Sequence, residues 1–183
     1  MIAAIGYRNK IKPYLDNLEK KGLGLGGGSA GALAFCLGCS LIVKSINHTK
    51  TKNNSKVKKN KLNNRLGKII KFKKEIYPYI DKDGQLFSKM MKSKGQDRKK
   101  YLKEVTHLLK TLARSSYKVF LLAKELDFDI KKGIKSDFNL GLEFIKLSLL
   151  SAILNLEDNN KISGKKDDYI RIVKNNLKNI KDK

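Results

Sequence analysis

The 183-residue sequence has no tryptophan, two prolines, two cysteines and two histidines. Each scarcity closes a class. Two cysteines are too few to staple a small secreted fold. His48 and His107 stand far apart, so a histidine-based metal site is not expected. With two prolines, the chain is no proline-rich linker protein. Acid is scarce as well: 17 Asp and Glu face 41 Lys and Arg, for a formal net charge of +24. Arginine supplies only 5 of those cations and lysine 36. The planar arginine fork is what reads phosphates and base edges in pairs. A nucleic-acid partner is therefore disfavoured, although 11 lysines and Arg65 crowd the span 44–74 without one acidic residue. Fifteen asparagines beside the lysines fit the codon bias of an AT-rich genome. A field this positive still attracts anionic small molecules.

What is present is a core. The hydrophobic fraction is 40%, and the length suits one domain over 1–183. Residues 1–21 carry seven charged side chains from Arg8 onward and lack the apolar core of a signal peptide, so a cytoplasmic location is expected. Residues 22–43 form an uncharged run holding seven glycines. Its first third reads as loop, and the rest as a buried helix rather than a membrane span. Strand alternation is absent, whereas steps of three and four recur. Tyr101–Leu126 shows one apolar face along a long helix. Ser136–Leu156 is apolar nearly all round, so it is expected to be central or at a subunit interface. Further helices are expected from Ser29, over Leu66–Met91 with a break near Pro78, over Tyr169–Ile180, and over the first 20 residues with Ile5, Ile11, Leu15 and Leu18 inward. The expectation is an all-α, single-domain antiparallel bundle of about six helices, with 49–64 a Lys/Asn-rich mobile loop.

Two motifs carry candidate chemistry. Gly26-Gly27-Gly28-Ser29 opens a helix, with Ser29 a good N-cap. No acidic residue follows in the first turn, which leaves N–H groups for an external anion or polar ring. The competing reading is that small residues let two helices cross closely. Asp81 and Asp83 lie two apart on a helix and point to different faces. Asp137 after Ser136 reads as a helix-start charge. Cys36 and Cys39 form C-x-x-C inside an apolar helix and read as core.

The order of these parts resembles the formiminotetrahydrofolate cyclodeaminase / methenyltetrahydrofolate cyclohydrolase family, as a divergent stand-alone member. The shared pieces are the Gly-Gly-Gly-Ser loop before an Ala/Gly-rich helix, a basic segment, Ile80-Asp81-x-Asp83-x-x-x-Phe87, Ser136-Asp137, and Asn155 with Asn159. The resemblance implies an all-helical homodimer whose substrate is a tetrahydrofolate derivative, with no metal. It implies chemistry at the N5/N10 bridge: ring closure of the 5-formimino form with loss of ammonia, or hydrolysis of the 5,10-methenyl form. That chemistry needs a proton shuttle near N10, expected to be Asp83 or Asp137, with Asp81 as its orienting partner. The resemblance assigns substrate binding to Gly26, Gly27, Gly28, Ser29, Phe87, Ser136, Asn155 and Asn159, and the Lys50, Lys52, Lys56 and Lys58 region is expected to collar the anionic tail. The alternatives are a catalytically inactive helical homologue, since Leu25 stands where the family pattern has proline, and a basic nucleic-acid-binding helical protein.

Overall fold

Residues spaced three and four apart become helix faces along the whole chain. A computed structural model describes residues 6–22, 24–51, 53–164 and 168–181. Among these residues are seven α-helices and no strand: α1 Tyr7–Glu19, α2 Gly27–Thr49, α3 Lys56–Ile76, α4 Tyr79–Lys92, α5 Gly95–Lys124, α6 Lys135–Ser163 and α7 Asp168–Lys181. The architecture is an all-α bundle. The expected six helices become seven because Pro78 splits the long one, ending α3 at Ile76 and starting α4 at Tyr79.

The central helix is α2. It buries Ala32, Phe35, Cys39, Ile42 and Ile46 against α6, α4 and α3. Its partner α6 runs antiparallel, since Lys44 meets Asp137 at one end and Gly27 meets Ser151 at the other. Midway, Gly38 faces Gly141: a Cβ on Gly38 would lie 2.7 Å from the Gly141 carbonyl oxygen. Small residues thus bring the two backbones into contact. Both helices are long and apolar enough to cross a membrane by length and composition, and in this fold they pack against each other.

Three expectations need correction. The 49–64 connection shrinks to 50–55, because α3 starts at Lys56 with the Ser55 hydroxyl accepting the Lys58 N–H. Lys-rich sequence is polar but forms helix well, and the cap fixes the start. In α1 nothing is buried: Ile11 and Leu15 are exposed and Leu18 half-buried; Ile5 lies outside the described residues. Helix α6 is not buried all round. Leu140, Leu147 and Leu154 are 51%, 52% and 52% exposed, a stripe along its outer side.

Ion pairs fix the turn between α5 and α6 to α3. Asp129 takes Lys61 at 2.8 Å and Lys58 at 3.6 Å, and Asp127 takes Lys135 at 2.5 Å. The Lys61 hydrogen bond and the two lysine charges hold the Asp129 carboxyl below its ordinary range, against a smaller effect of burial. For Asp127, burial pushes up, but bonds and charges from Lys135 and Lys124 outweigh it. Carboxyls depressed in the folded state stabilise it above their unfolded pKa, and that contribution vanishes as pH falls through the folded value. The melting temperature is therefore expected to drop below about pH 4, and less steeply in Asp129→Asn. A parallel pair of pH–melting curves would contradict this.

Candidate active site at the glycine loop

The start of α2 is capped from another helix. Gly26 is its cap residue, and no side chain of its own segment serves the end. Ser29 was expected to do so, but it lies inside the first turn and faces α4. Its hydroxyl donates to the Ile80 carbonyl at 2.5 Å and stands 3.1 Å from the Tyr14 hydroxyl. The cap is Asp83, whose Oδ2 accepts the Ser29 N–H at 3.0 Å. This corrects the expectation of an end left open for an external anion. The acid missing from the first turn of α2 is supplied by α4, and it complements the positive end of the helix.

Asp83 is 7% exposed. Burial pushes its carboxyl above the ordinary range, and the Ser29 N–H draws it part of the way back. Glycine is what lets it sit there. A Cβ on Gly28 would overlap the Asp83 carboxyl, and one on Gly27 would lie 2.7 Å from Asn155 Nδ2. The Ser151 hydroxyl of α6 donates to the Gly27 carbonyl at 2.6 Å, and Asn155 Nδ2 donates to Ser151 O at 2.8 Å. The loop is thus held between α4 and α6.

Beside it runs a groove of about 630 Å³ between the end of α1 and α4. Asn17, Lys20 and Lys21 line one wall, Asp81, Gln85 and Lys89 the other. Asp81 and Asp83 point to different sides of α4, as their spacing required: Asp81 into the groove, Asp83 onto the loop. Phe87, half-buried, stands one turn beyond Asp83. A hollow of about 760 Å³ between the end of α6 and α7 holds the Lys174–Glu157 ion pair. It is lined by none of the expected site residues, whereas the smaller groove is lined by Asp81 and by Leu25 and Gly84, the chain neighbours of Gly26 and Asp83, and is the better candidate.

The expected site residues divide between two ends of the molecule. Gly26 to Ser29, Asp81, Asp83 and Asn155 gather at the start of α2. Lys50, Ser136 and Asp137 do not join them within one chain. Asp137 pairs with Lys44 at 2.5 Å, and Lys44 lies 15 residues past Ser29, roughly 22 Å along the helix. The antiparallel course of α6 is the reason: its first turn lies against the last turns of α2. Asn159 is buried and turned toward α5, its Nδ2 3.4 Å from Thr106 Oγ1. Lys52 lies outside the described residues. Near the loop the cations are Lys20, Lys21 and Lys89, which the reading of the sequence passed over, together with Tyr14 and Ser151. No local pattern marks any of the five.

Among the described residues no three of His, Cys, Asp and Glu are grouped to hold a metal. The thiols of α2 are buried; burial pushes Cys36 up to about 11 and Cys39 further. Neither is a ready nucleophile at neutral pH.

The sequence profile of the formiminotransferase-cyclodeaminase family matches residues 10–183. Among solved structures, the chain is similar to a formiminotetrahydrofolate cyclodeaminase from Thermotoga maritima, with 18% identity and a TM-score of 0.78. The likeness covers 92% of this chain and 86% of that one. A search of curated proteins by sequence finds no match.

Proposed function

The chain belongs to the formiminotransferase-cyclodeaminase family, and from that premise we propose that it is an enzyme acting on the one-carbon unit at the N5/N10 bridge of tetrahydrofolate. The reaction is either cyclodeamination of the 5-formimino form or hydrolysis of the 5,10-methenyl form. The observation that carries the reading is the Asp83 carboxyl, buried with its pKa raised and seated on a loop that has no side chains of its own.

Both reactions pass a proton near N10 while an amidinium-like carbon gains or loses a nitrogen or oxygen. A carboxyl with a raised pKa exchanges that proton closer to neutrality than an ordinary one. Asp83 is assigned that role. Asp81, on the groove wall, lies where a carboxylate offsets positive charge on the bridging carbon. The bare backbone of Gly26, with nothing within 4 Å of a Cβ, leaves room for a flat ring, and Lys20, Lys21 and Lys89 offer charge for the anionic glutamate tail. Asp83→Asn removes the exchangeable proton and keeps the side-chain size. Its turnover is expected to fall by about 10² to 10⁴, with retained binding of 5-formyltetrahydrofolate, a stable analogue. The assay follows absorbance of the methenyl form, both its loss and its formation from the formimino form, with spontaneous hydrolysis subtracted. Full turnover in Asp83→Asn would mean that Asp83 serves only as the α2 cap.

The same reading includes a homodimer. Leu140, Leu147 and Leu154 fall at seven-residue steps along α6. Leu37 lies on the same side of the α2–α6 pair, because Leu37 and Leu140 each precede one of the two touching glycines. An apolar stripe of this length on a soluble chain is suited to burial against a like surface. Two antiparallel copies of α6 crossing at Leu147 match Leu140 with Leu154 of the partner subunit. That pairing sets the partner's Asp137 level with Glu157, half a turn from Asn155, and completes the divided site with Ser136 of the partner subunit beside it.

A further inference from the structure

Helix α1 is the least anchored part of the site. It contains no buried residue, and it is not among the helices that pack along their length. Yet its last turn and the segment after it supply one wall of the groove, through Asn17, Lys20 and Lys21. Something must hold that wall in place. The backbone gives one contact, the Asn17 carbonyl beside Gly24. The side chains give another, the Tyr14 hydroxyl 3.1 Å from Ser29 Oγ.

The direction of that bond follows from elimination. The single hydroxyl proton of Ser29 is committed to the Ile80 carbonyl at 2.5 Å. The Ser29 oxygen therefore accepts, and Tyr14 donates. Burial pushes the Tyr14 phenol upward, the Ser29 bond draws it back, and the Asp83 and Asp81 charges push it further up. It keeps its proton, and with it the donor role, across neutral pH. Ser29 in turn holds both ends of the turn that carries the two carboxylates: its hydroxyl reaches Ile80, and its N–H reaches Asp83. One phenol thus ties the groove wall to the residue that seats Asp83.

We propose that Tyr14 is a positioning residue: its hydroxyl latches α1 onto Ser29, and making or breaking that one bond closes or opens the substrate groove. The proposal rests on the folate reading of the groove and adds the residue that sets access to it. Tyr14 does not touch the reacting atoms, so its loss acts on binding more than on chemistry.

The test is Tyr14→Phe, which deletes one oxygen and keeps the ring. The expected result is a KM for the methenyl substrate raised about three- to tenfold, the factor carried by one ordinary hydrogen bond, with kcat changed less than about twofold. Amide hydrogen exchange over α1 should speed up by a comparable factor, while α2 and α4 keep their rates. In the wild type, 5-formyltetrahydrofolate should slow exchange in α1, and in Tyr14→Phe it should slow it much less. Unchanged KM with unchanged α1 exchange overturns the proposal. So does a fall in kcat at constant KM with faster exchange throughout α2 and α4, which is the mark of a structural brace. If the wild type turns over neither folate and 5-formyltetrahydrofolate alters exchange nowhere, the folate reading fails. The exchange rates of α1 in Tyr14→Phe, measured without ligand, then still decide whether the latch exists.

Discussion

Mixing Asp83→Asn chains with Asp137→Asn chains, each inactive alone, is expected to restore roughly a quarter of wild-type turnover, the statistical yield of a two-fold dimer with shared sites. The reasoning starts from a separation. Asp83 lies at the start of α2, and Asp137 is held by Lys44 toward the end of it. The 18 residues of α6 between Asp137 and Asn155 span roughly 27 Å, too far for both to serve one small molecule from one chain. The proposed two-fold contact centred on Leu147 would remove that distance, because the stripe from Leu140 to Leu154 is symmetric about it. Each site then takes Asp83 from one subunit and Asp137 from the other. Random pairing makes half of the dimers mixed, and each mixed dimer holds one site with both carboxyls intact and one with neither. Chains carrying two different tags show that mixed dimers have formed. If they form and no turnover returns, the site is not shared. If Asp137→Asn alone keeps full activity, Asp137 is only the partner of Lys44. Placing a charge in the stripe, as in Leu147→Glu, should yield monomers and abolish the recovery together with the wild-type activity.

The sequence made the helices legible and left their meetings hidden. Helices α5 and α6 stand where the apolar spacing put them, because a 3.6-residue period is a local property. The loop expected over 49–64 failed for an equally local reason: Lys and Asn look like linker, yet Ser55 caps a helix that they then extend. The site was half visible. Three glycines before an apolar helix, with no acid in its first turn, signalled an end awaiting a partner. That the partner is Asp83 of the same chain is a tertiary fact, which no spacing between residues 29 and 83 encodes. Tyr14 was invisible for the same reason; on its own helix it is one more half-buried aromatic. The α2 glycines serve close approach at each position. Gly27 and Gly28 admit Asn155 and Asp83, while Gly31 and Gly38 serve the packing of α2 on α6.

That packing sets the second large effect. Gly38→Val is expected to destabilise the fold by about 3 kcal/mol or more, at or beyond the upper end of ordinary overpacking. The fold as a whole has only about 5–15 kcal/mol to lose. The cost is high because of what the new atoms meet. A Cβ at Gly38 lies 2.7 Å from the Gly141 carbonyl oxygen, and one at Gly141 lies 3.0 Å from the Gly38 carbonyl oxygen. Both obstacles are helical backbone, so no rotamer change relieves them and α6 must move off α2 as a unit. Gly67 gives the contrast. It lies in α3 with nothing within 4 Å of a Cβ, so Gly67→Ala should stabilise by about 1 kcal/mol through helix propensity. Urea unfolding of the two variants separates steric from conformational glycine. Combining Gly38→Ala with Gly141→Ala sharpens the test: once one methyl has pushed α6 away, the second finds the space already made. The double variant should therefore lose less than the sum of the singles, by an interaction of about 1 kcal/mol or more, as expected for residues in direct contact. Strict additivity would show that the two glycines do not share one crossing, and the antiparallel α2–α6 core on which the divided site rests would have to be redrawn.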